Sequence, residues 1–260
     1  MMELLAYLTE GNVANFLLLL LRFAGIIAFF PFFENQLITA QLKGALIFFL
    51  TIFFIPMLEV IPPADWTILR FIVAGLSEIM LGFLASVALQ IVFGMISFGG
   101  EIISFAMGLT IANAYDPVTG AQKPIVGQLL TLVALLIMLG LDYHHLFFYF
   151  VGESVKEIPL GGFMYAQNYI EYLVKSFSHL FVIGLTMSFP IIALILLSDI
   201  IFGMIMKAHP QFNLLAIGFP VKIAIAFAVL IVIVPAIMLH FKREFLSAFD
   251  ALTLLFQNSF

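Results

Sequence analysis

Apolar residues along this chain gather in long uninterrupted blocks, and the polar positions fall between the blocks rather than alternating within them. Gly44–Leu58, Ile79–Gly100, Pro124–Leu141, Ser176–Ser198 and Ile223–Phe241 contain no Asp, Glu, Lys or Arg. A further block, Gly11–Phe33, is interrupted only by Arg22. A helix that crosses a bilayer needs roughly 17–25 mostly apolar residues, because each residue advances about 1.5 Å through a hydrocarbon layer about 30 Å thick. The pattern therefore predicts about six candidate spans. Gly44–Leu58 is short and carries Pro56, so a half-span or broken hairpin stands beside a full crossing there.

Two polar breaks are longer than the rest, at about Glu101–Lys123 and about Asp142–Lys175. The first holds Asp116-Pro117 and Gly120, a turn signature: Asp bonds its own backbone, Pro fixes φ and Gly accepts a positive φ. Ahead of that turn, Ile102–Tyr115 is apolar but too short to span, which predicts a segment that re-enters or lines a cavity. The second break holds Pro159-Leu160-Gly161-Gly162, a stop and turn, then Tyr165, Tyr169 and Tyr172, which suit an interfacial helix. Beyond the last block, Phe241, Phe245, Phe249, Leu252 and Phe256 recur at helical spacing. They predict an amphipathic tail lying on the membrane or on a partner.

Composition sharpens this into a class. Of 260 residues, 64% are hydrophobic and 10% charged, against about 25% charged in a soluble domain. The apolar excess must face lipid or protein, so the expectation is an all-α integral membrane protein. The absence of Cys excludes disulfides and thiolate chemistry. A net charge of −5 offers no basic surface for nucleic acid. Met1–Glu10 has no basic n-region, so no cleavable signal peptide is expected and the first block serves as an uncleaved insertion signal. Lys242 and Arg243 after the last block favour a cytoplasmic C-terminus. Phosphate-loop, zinc-protease and serine-hydrolase motifs are missing from the sequence. His144-His145 point about 100° apart on a helix, a poor metal pair. Neither enzyme chemistry, nor a metal, nor a cofactor is expected.

The ionisable residues near or inside the blocks are few. Arg22, Glu78, Asp199, Lys207 and Lys222 each cost roughly 2.5–3.5 kcal/mol to insert unpaired. Glu78 follows Arg70 by about two helical turns, and Lys207 follows Asp199 at the same spacing. A proton or ion relay of a secondary transporter is one reading of these charges. Pairing across helices or with partner subunits is the better one, because they are scattered and lack an inverted repeat. Gly82 and Ser86 form a small-xxx-small pair that lets two helix backbones approach. The 31 Phe and 12 Met suit irregular interfaces or the sealing of a pore.

Two segments resemble a known family. Phe105-Ala106-Met107-Gly108-Leu109-Thr110-Ile111-Ala112-Asn113-Ala114-Tyr115-Asp116-Pro117-Val118-Thr119-Gly120-Ala121-Gln122-Lys123-Pro124 is similar to the Q-M-G-x-S-x-A-x-x-x-D-P-x-x-G-x-x-x-P stretch of the FliR/SctT export-gate family. Ala208-His209-Pro210-Gln211-Phe212-Asn213-Leu214-Leu215-Ala216-Ile217-Gly218-Phe219-Pro220-Val221-Lys222 is similar to its A-P-Q-x-N-x-x-x-x-G-F-P-x-K stretch. Leu141-Asp142, His144-His145, Glu153-Ser154 and Ile158–Gly161 follow the family's order between them. Ala106, Thr110 and the inserted His209 depart from the pattern without changing the spacing around Asp116-Pro117 or Gly218-Phe219-Pro220.

The resemblance implies a multi-pass protein of the bacterial inner membrane, at the base of a flagellum or of a virulence injectisome. One copy would join several FliP and FliQ homologues, beside other export-apparatus membrane proteins, in a closed helical ring for unfolded substrate proteins. It implies six to eight hydrophobic helices in bent hairpins. A FliP-like part would cover 1–123 with a plug loop. Residues 124–260 would follow, with FliQ-like hairpins toward the end and an amphipathic tail over 241–260. The loop matching Met107–Lys123 would be the plug. Within it Met107, Leu109, Ile111 and Tyr115 supply apolar bulk, Gly108 and Gly120 flexible ends, and Asp116-Pro117 the turn. Pro210, Gln211, Asn213, Gly218, Phe219 and Pro220 carry the second family motif. Asp116-Pro117-Val118-Thr119-Gly120 looks closer to the flagellar branch than to the injectisome branch.

Overall fold

Long runs of Leu, Ile, Phe and Ala with few breakers become helices, because a backbone kept from water must satisfy its own N–H and C=O groups. The computed structural model describes residues 10–29, 33, 38–57, 67–109, 124–162, 167–209 and 217–257. Among these residues seven α-helices and no strand occur. They are α1 (Glu10–Phe29), α2 (Ala40–Phe54, extended by a 3-10 turn Ile55–Met57), α3 (Ile68–Ala106), α4 (Ile125–Gly140), α5 (His144–Glu157), α6 (Gln167–Ala208) and α7 (Phe219–Gln257). The all-α expectation holds, and each of the six apolar blocks lies largely within one of these helices. Three helices, α3, α6 and α7, are long and apolar enough to span a membrane; the apolar stretches of α1, α2 and α4 are shorter.

The boundaries differ from the sequence reading in three places. Glu101 does not end a helix: α3 runs through it to Ala106, because one exposed carboxylate leaves the backbone ladder intact. The tail is no separate element but the continuation of α7, which passes Pro235 and ends at Gln257. Its aromatic face turns inward, with Phe241, Phe245, Phe249 and Leu252 all buried. Tyr169, expected at a wet interface, is buried near the start of α6.

The chain forms two compact units that interleave in sequence. The first comprises Met1–Gln90, Asp142–Val174 and Phe245–Phe260. Here α1 buries Leu18, Leu19, Arg22, Phe23, Ile26 and Ile27, a wide stripe at the i, i+4 and i+8 spacing of one helix face. That stripe meets α3 at a backbone-to-backbone approach. A Cβ on Gly25 would lie 2.7 Å from the Ile79 carbonyl oxygen, and one on Gly82 2.6 Å from the Ile26 nitrogen. One turn along, the Ser86 hydroxyl donates to the Ile26 carbonyl at 2.7 Å. The small-residue pair of the sequence is thus the α1–α3 crossing. Phe245 of α7 stacks on Tyr143 at 5.8 Å, and Phe249 meets Phe150 of α5 edge-on.

The second unit comprises Ile91–Leu141 and Lys175–Glu244. The same device recurs within it. Gly99 of α3 faces Gly184 of α6, where an added Cβ would lie 3.0 Å from the Gly184 carbonyl oxygen, and Gly100 faces the Gly127 backbone of α4. Phe98 meets Phe181 and Phe93 meets Phe241, both edge-on. Helices α6 and α7 run as an antiparallel hairpin with a polar rung near each end. His179 lies 3.4 Å from Glu244, and Lys222 lies 2.5 Å from Asp199. The rungs are separated by about 20 residues on each helix, about 30 Å at 1.5 Å per residue.

These contacts make the α1–α3 crossing sensitive to a methyl group. Replacing Gly82 with Val puts side-chain atoms where backbone already stands, so the unfolding midpoint in mixed micelles should fall by the equivalent of about 1–3 kcal/mol or more. Gly44→Ala, at a helical position with nothing within 4 Å, should stay within about 0.5 kcal/mol of the parent.

Candidate functional site

The deepest polar cluster in the first unit grows from the buried stripes of α1 and α3. On α1, Arg22 sits between Leu18 and Ile26; on α3, Glu78 sits between Ala74 and Leu81. Both charged side chains are fully enclosed, at 0% exposure. Arg22 Nε donates to Glu78 Oε2 at 2.5 Å, and Nη2 donates to Oε1 at 3.1 Å. This is the two-point fork that a guanidinium makes with a carboxylate.

The remaining donors of Arg22 reach the end of α5. Nη1 donates to the Ser154 carbonyl and Nη2 to the Ile158 carbonyl at 3.0 Å. The last carbonyls of a helix carry the negative end of its dipole, and the Ser154 carbonyl, which also accepts the Ile158 N–H at 3.2 Å, has a second lone pair to offer. A buried cation is therefore well placed there. Glu78 Oε1 in turn accepts from the Gly161 N–H at 2.6 Å. That amide is presented by the turn Pro159–Gly162, closed by Gly162 N–H to the Pro159 carbonyl at 2.9 Å. Gly161 holds φ at 73°, a conformation that a side chain rarely adopts. One ion pair thus joins α1, α3, the end of α5 and the turn after it.

The second place of interest, in the other unit, is the root of the loop after α3. Met107 is fully buried, and its N–H bonds the Ile103 carbonyl at 2.9 Å. Gly108 follows with φ 79° and bonds the Phe105 carbonyl at 3.0 Å. The helix therefore closes with a positive-φ glycine, as helices commonly do. Leu109 is half-buried. At the other root, α4 starts on Pro124, which has no side chain to cap it. The Val126 N–H donates instead to the Ser104 hydroxyl of α3 at 3.2 Å. Ile111, Tyr115, Asp116, Pro117 and Gly120 lie outside the described residues.

The other charges sit elsewhere. Asp199 pairs with Lys222, which is 14% exposed against 46% for the carboxylate, and the ammonium lies 5.6 Å from the Phe219 ring centre. Lys207 is exposed in the last turn of α6. Gly218 is buried where α7 begins, Phe219 is half-buried and Pro220 exposed. Pro210, Gln211 and Asn213 lie outside the described residues. The partner of Glu78 is Arg22 and not the nearby Arg70, which is exposed on the first turn of α3. Sequence reasoning missed Ser104 and the carbonyls of Ser154 and Ile158. Backbone acceptors leave no trace in residue type, and a serine in an apolar helix is an ordinary sight.

An all-helical chain with three helices of spanning length, further apolar helices and its deepest charges neutralised inside defines a multi-pass membrane protein. Residues 13–248 match the family described as bacterial export proteins, family 1, and the chain belongs to that family. It is 30% identical over 236 residues to the flagellar biosynthetic protein FliR of Bacillus subtilis, covering 88% of this chain and 90% of that relative. It is 26% identical over 235 residues to the FliR of Escherichia coli, covering 90% and 89%. With the FliR of Borreliella burgdorferi the figures are 29% over 239 residues, 90% and 87%. The resemblance read from the two motif segments is borne out.

The ion pair makes a test of the first cluster. Arg22→Ala strands a buried carboxylate and should cost about 3–5 kcal/mol, whereas a double apolar replacement such as Arg22→Met with Glu78→Met should recover much of that loss. Membrane abundance and unfolding midpoints of both singles and the double provide the measurement. A double variant as unstable as the two singles added together would refute the coupling.

Proposed function

We propose that this chain is a subunit of the flagellar protein-export apparatus of the bacterial inner membrane, at the flagellar basal body. In this reading one copy joins several FliP and FliQ homologues around a closed path for unfolded flagellar proteins. The observation that carries it is the match over 13–248, together with relatives named flagellar biosynthetic protein over about nine tenths of the chain. Those names favour flagellar over injectisome use. Two structural features support a subunit over a solitary transporter. The charges deepest in the fold are spent on each other and on backbone carbonyls. The outer faces of α6 and α7 expose large residues such as Leu185, Phe189, Leu196, Ile200, Ile231 and Val232, which neighbouring helices would cover.

Within that role the loop that starts at Met107 and Gly108 serves as the plug. Its roots are fixed by the Ser104–Val126 hydrogen bond and the Gly100–Gly127 contact, so the loop is displaced without parting α3 from α4. Met107, Leu109, Ile111 and Tyr115 fill the path, Gly108 and Gly120 flex, and Asp116-Pro117 sets the turn. The chain does this by occupying space, with neither catalysis nor cofactor.

Two measurements test this. A tagged chain extracted from membranes should bring down two small hydrophobic partners, and a chain that always purifies alone would end the subunit reading. Deleting Met107–Tyr115 should make cells leak small ions while those partners still co-purify. A tight membrane after the deletion would remove the plug role and leave the subunit role standing.

A further inference from the structure

The α6–α7 hairpin carries one proline inside each helix, Pro190 in α6 and Pro235 in α7. Its register is set by the two polar rungs, Asp199 with Lys222 and His179 with Glu244. In that antiparallel register Pro190 stands opposite about Val232, less than one turn of about 3.6 residues from Pro235. Both helices are therefore interrupted at one level, about midway between the rungs. Proline has no N–H, so the carbonyls four residues back, at Thr186 and Ile231, lose their helical donor, and each ring presses on the carbonyl it leaves unserved. Both prolines are exposed, so neither ring is enclosed by the chain's own packing.

The two halves of the hairpin are held differently. Between the prolines and the His179–Glu244 rung, close contacts fix it to α3. Gly184 faces Gly99, a Cβ on Gly94 would lie 2.9 Å from the Leu180 side chain, Phe181 meets Phe98 and Phe241 meets Phe93. Beyond the prolines lies an arm of 191–208 and 219–234. Its only buried side chains are Ile191, Ile195 and Ser198 on α6 and Ala226 and Leu230 on α7. Ile195 and Ile191 lie one and two turns before Asp199, and Ala226 and Leu230 one and two turns after Lys222. They continue the face on which that salt bridge is made, so the buried stripe of each helix is the seam against the other. The rest of the arm is open, and a Cβ on Gly203 would meet nothing within 4 Å.

We propose that this arm swings as one piece about the level of Pro190 and Pro235, while the half that carries His179 and Glu244 stays fixed on α3. The seam and the Asp199–Lys222 bridge hold the two helices of the arm together, which leaves the level of the missing donors as the compliant one. Interior kinks of helices fall at such positions. The inference goes beyond the export reading and does not need it. Within that reading, the arm is the part of the chain able to give way while its base keeps its seat.

The protein contains no Cys, so introduced thiols carry nitroxide labels at chosen positions only. Leu132→Cys on α4, a helix whose Gly127 lies against Gly100 of α3, is the fixed reference. Paired with Val182→Cys it reports the base of the hairpin, and paired with Ile201→Cys it reports the arm; all three parent side chains are exposed. In the full chain held in lipid nanodiscs, pulsed dipolar spectroscopy should give a distance distribution several-fold wider for the arm pair than for the base pair. Pro190→Ala with Pro235→Ala restores both N–H donors and should narrow the arm distribution towards the base width, with the base distribution unchanged. Equal widths in the parent chain would overturn the proposal. So would a wide arm distribution that the alanines leave as it was. If the double variant fails to accumulate, the single alanines decide by the same criterion. None of these outcomes depends on which proteins co-purify, so failure of the export reading is seen separately, as a chain that purifies without partners.

Discussion

The first unit is organised around a buried salt bridge whose contribution is register rather than net stability. Arg22 and Glu78 are removed from water in a chain that is 64% hydrophobic, and desolvating two charges normally costs more than their attraction returns. The balance is restored because the guanidinium also donates to two carbonyls at the end of α5 and the carboxylate also accepts the Gly161 amide. What such a pair contributes is position. Leu, Ile and Phe on one helix fit many registers on the next, whereas a fork of two hydrogen bonds fits one. Gly25 and Gly82 reinforce that choice, since only their meeting lets the α1 and α3 backbones come close enough.

The second unit solves the same problem with weaker means. Its hairpin of α6 and α7 is fixed in register by two half-exposed polar rungs, Asp199–Lys222 and His179–Glu244. Exposed pairs contribute about 0–1 kcal/mol, so packing must carry the stability there, and glycine contacts at Gly99–Gly184 and Gly100–Gly127 carry the proximity. In both units the glycines that matter face another backbone. Gly44 and Gly140, with nothing near them, are helical by context only.

Element type was legible from the apolar blocks because a run without charges or breakers has few alternatives to a helix. Ends were less legible. A single Glu101 reads as a break, but the true stop of α3 is Gly108, whose positive φ no L side chain accepts easily. The charges were legible singly and not as pairs: Arg22 meets Glu78 across 56 residues and the carbonyls of Ser154 and Ile158 across 132 and 136. Pairing across helices was expected, but spacing along the chain could not say which residues pair. The tail was legible as amphipathic, but periodicity cannot say whether a greasy face meets lipid, a partner or its own chain; Phe245 and Phe249 meet Tyr143 and Phe150. Much of the loop that the family motif marks falls outside the described residues, and so do Pro210, Gln211 and Asn213.

The way burial is shared among the long helices gives the export role its physical sense. In its most apolar stretch α3 is 67% buried, whereas α6 and α7 are 33% and 22% buried. Many of the exposed positions of α6 and α7 are large and apolar, Leu185, Phe189, Leu196, Ile231 and Val232 among them. In lipid alone those faces would gain nothing from one another, since hydrocarbon is as apolar as leucine. Between such faces it is shape rather than hydrophobicity that selects a contact. The deepest charges, Arg22 and Glu78, are neutralised within the fold, which leaves contact among the outward faces to shape alone.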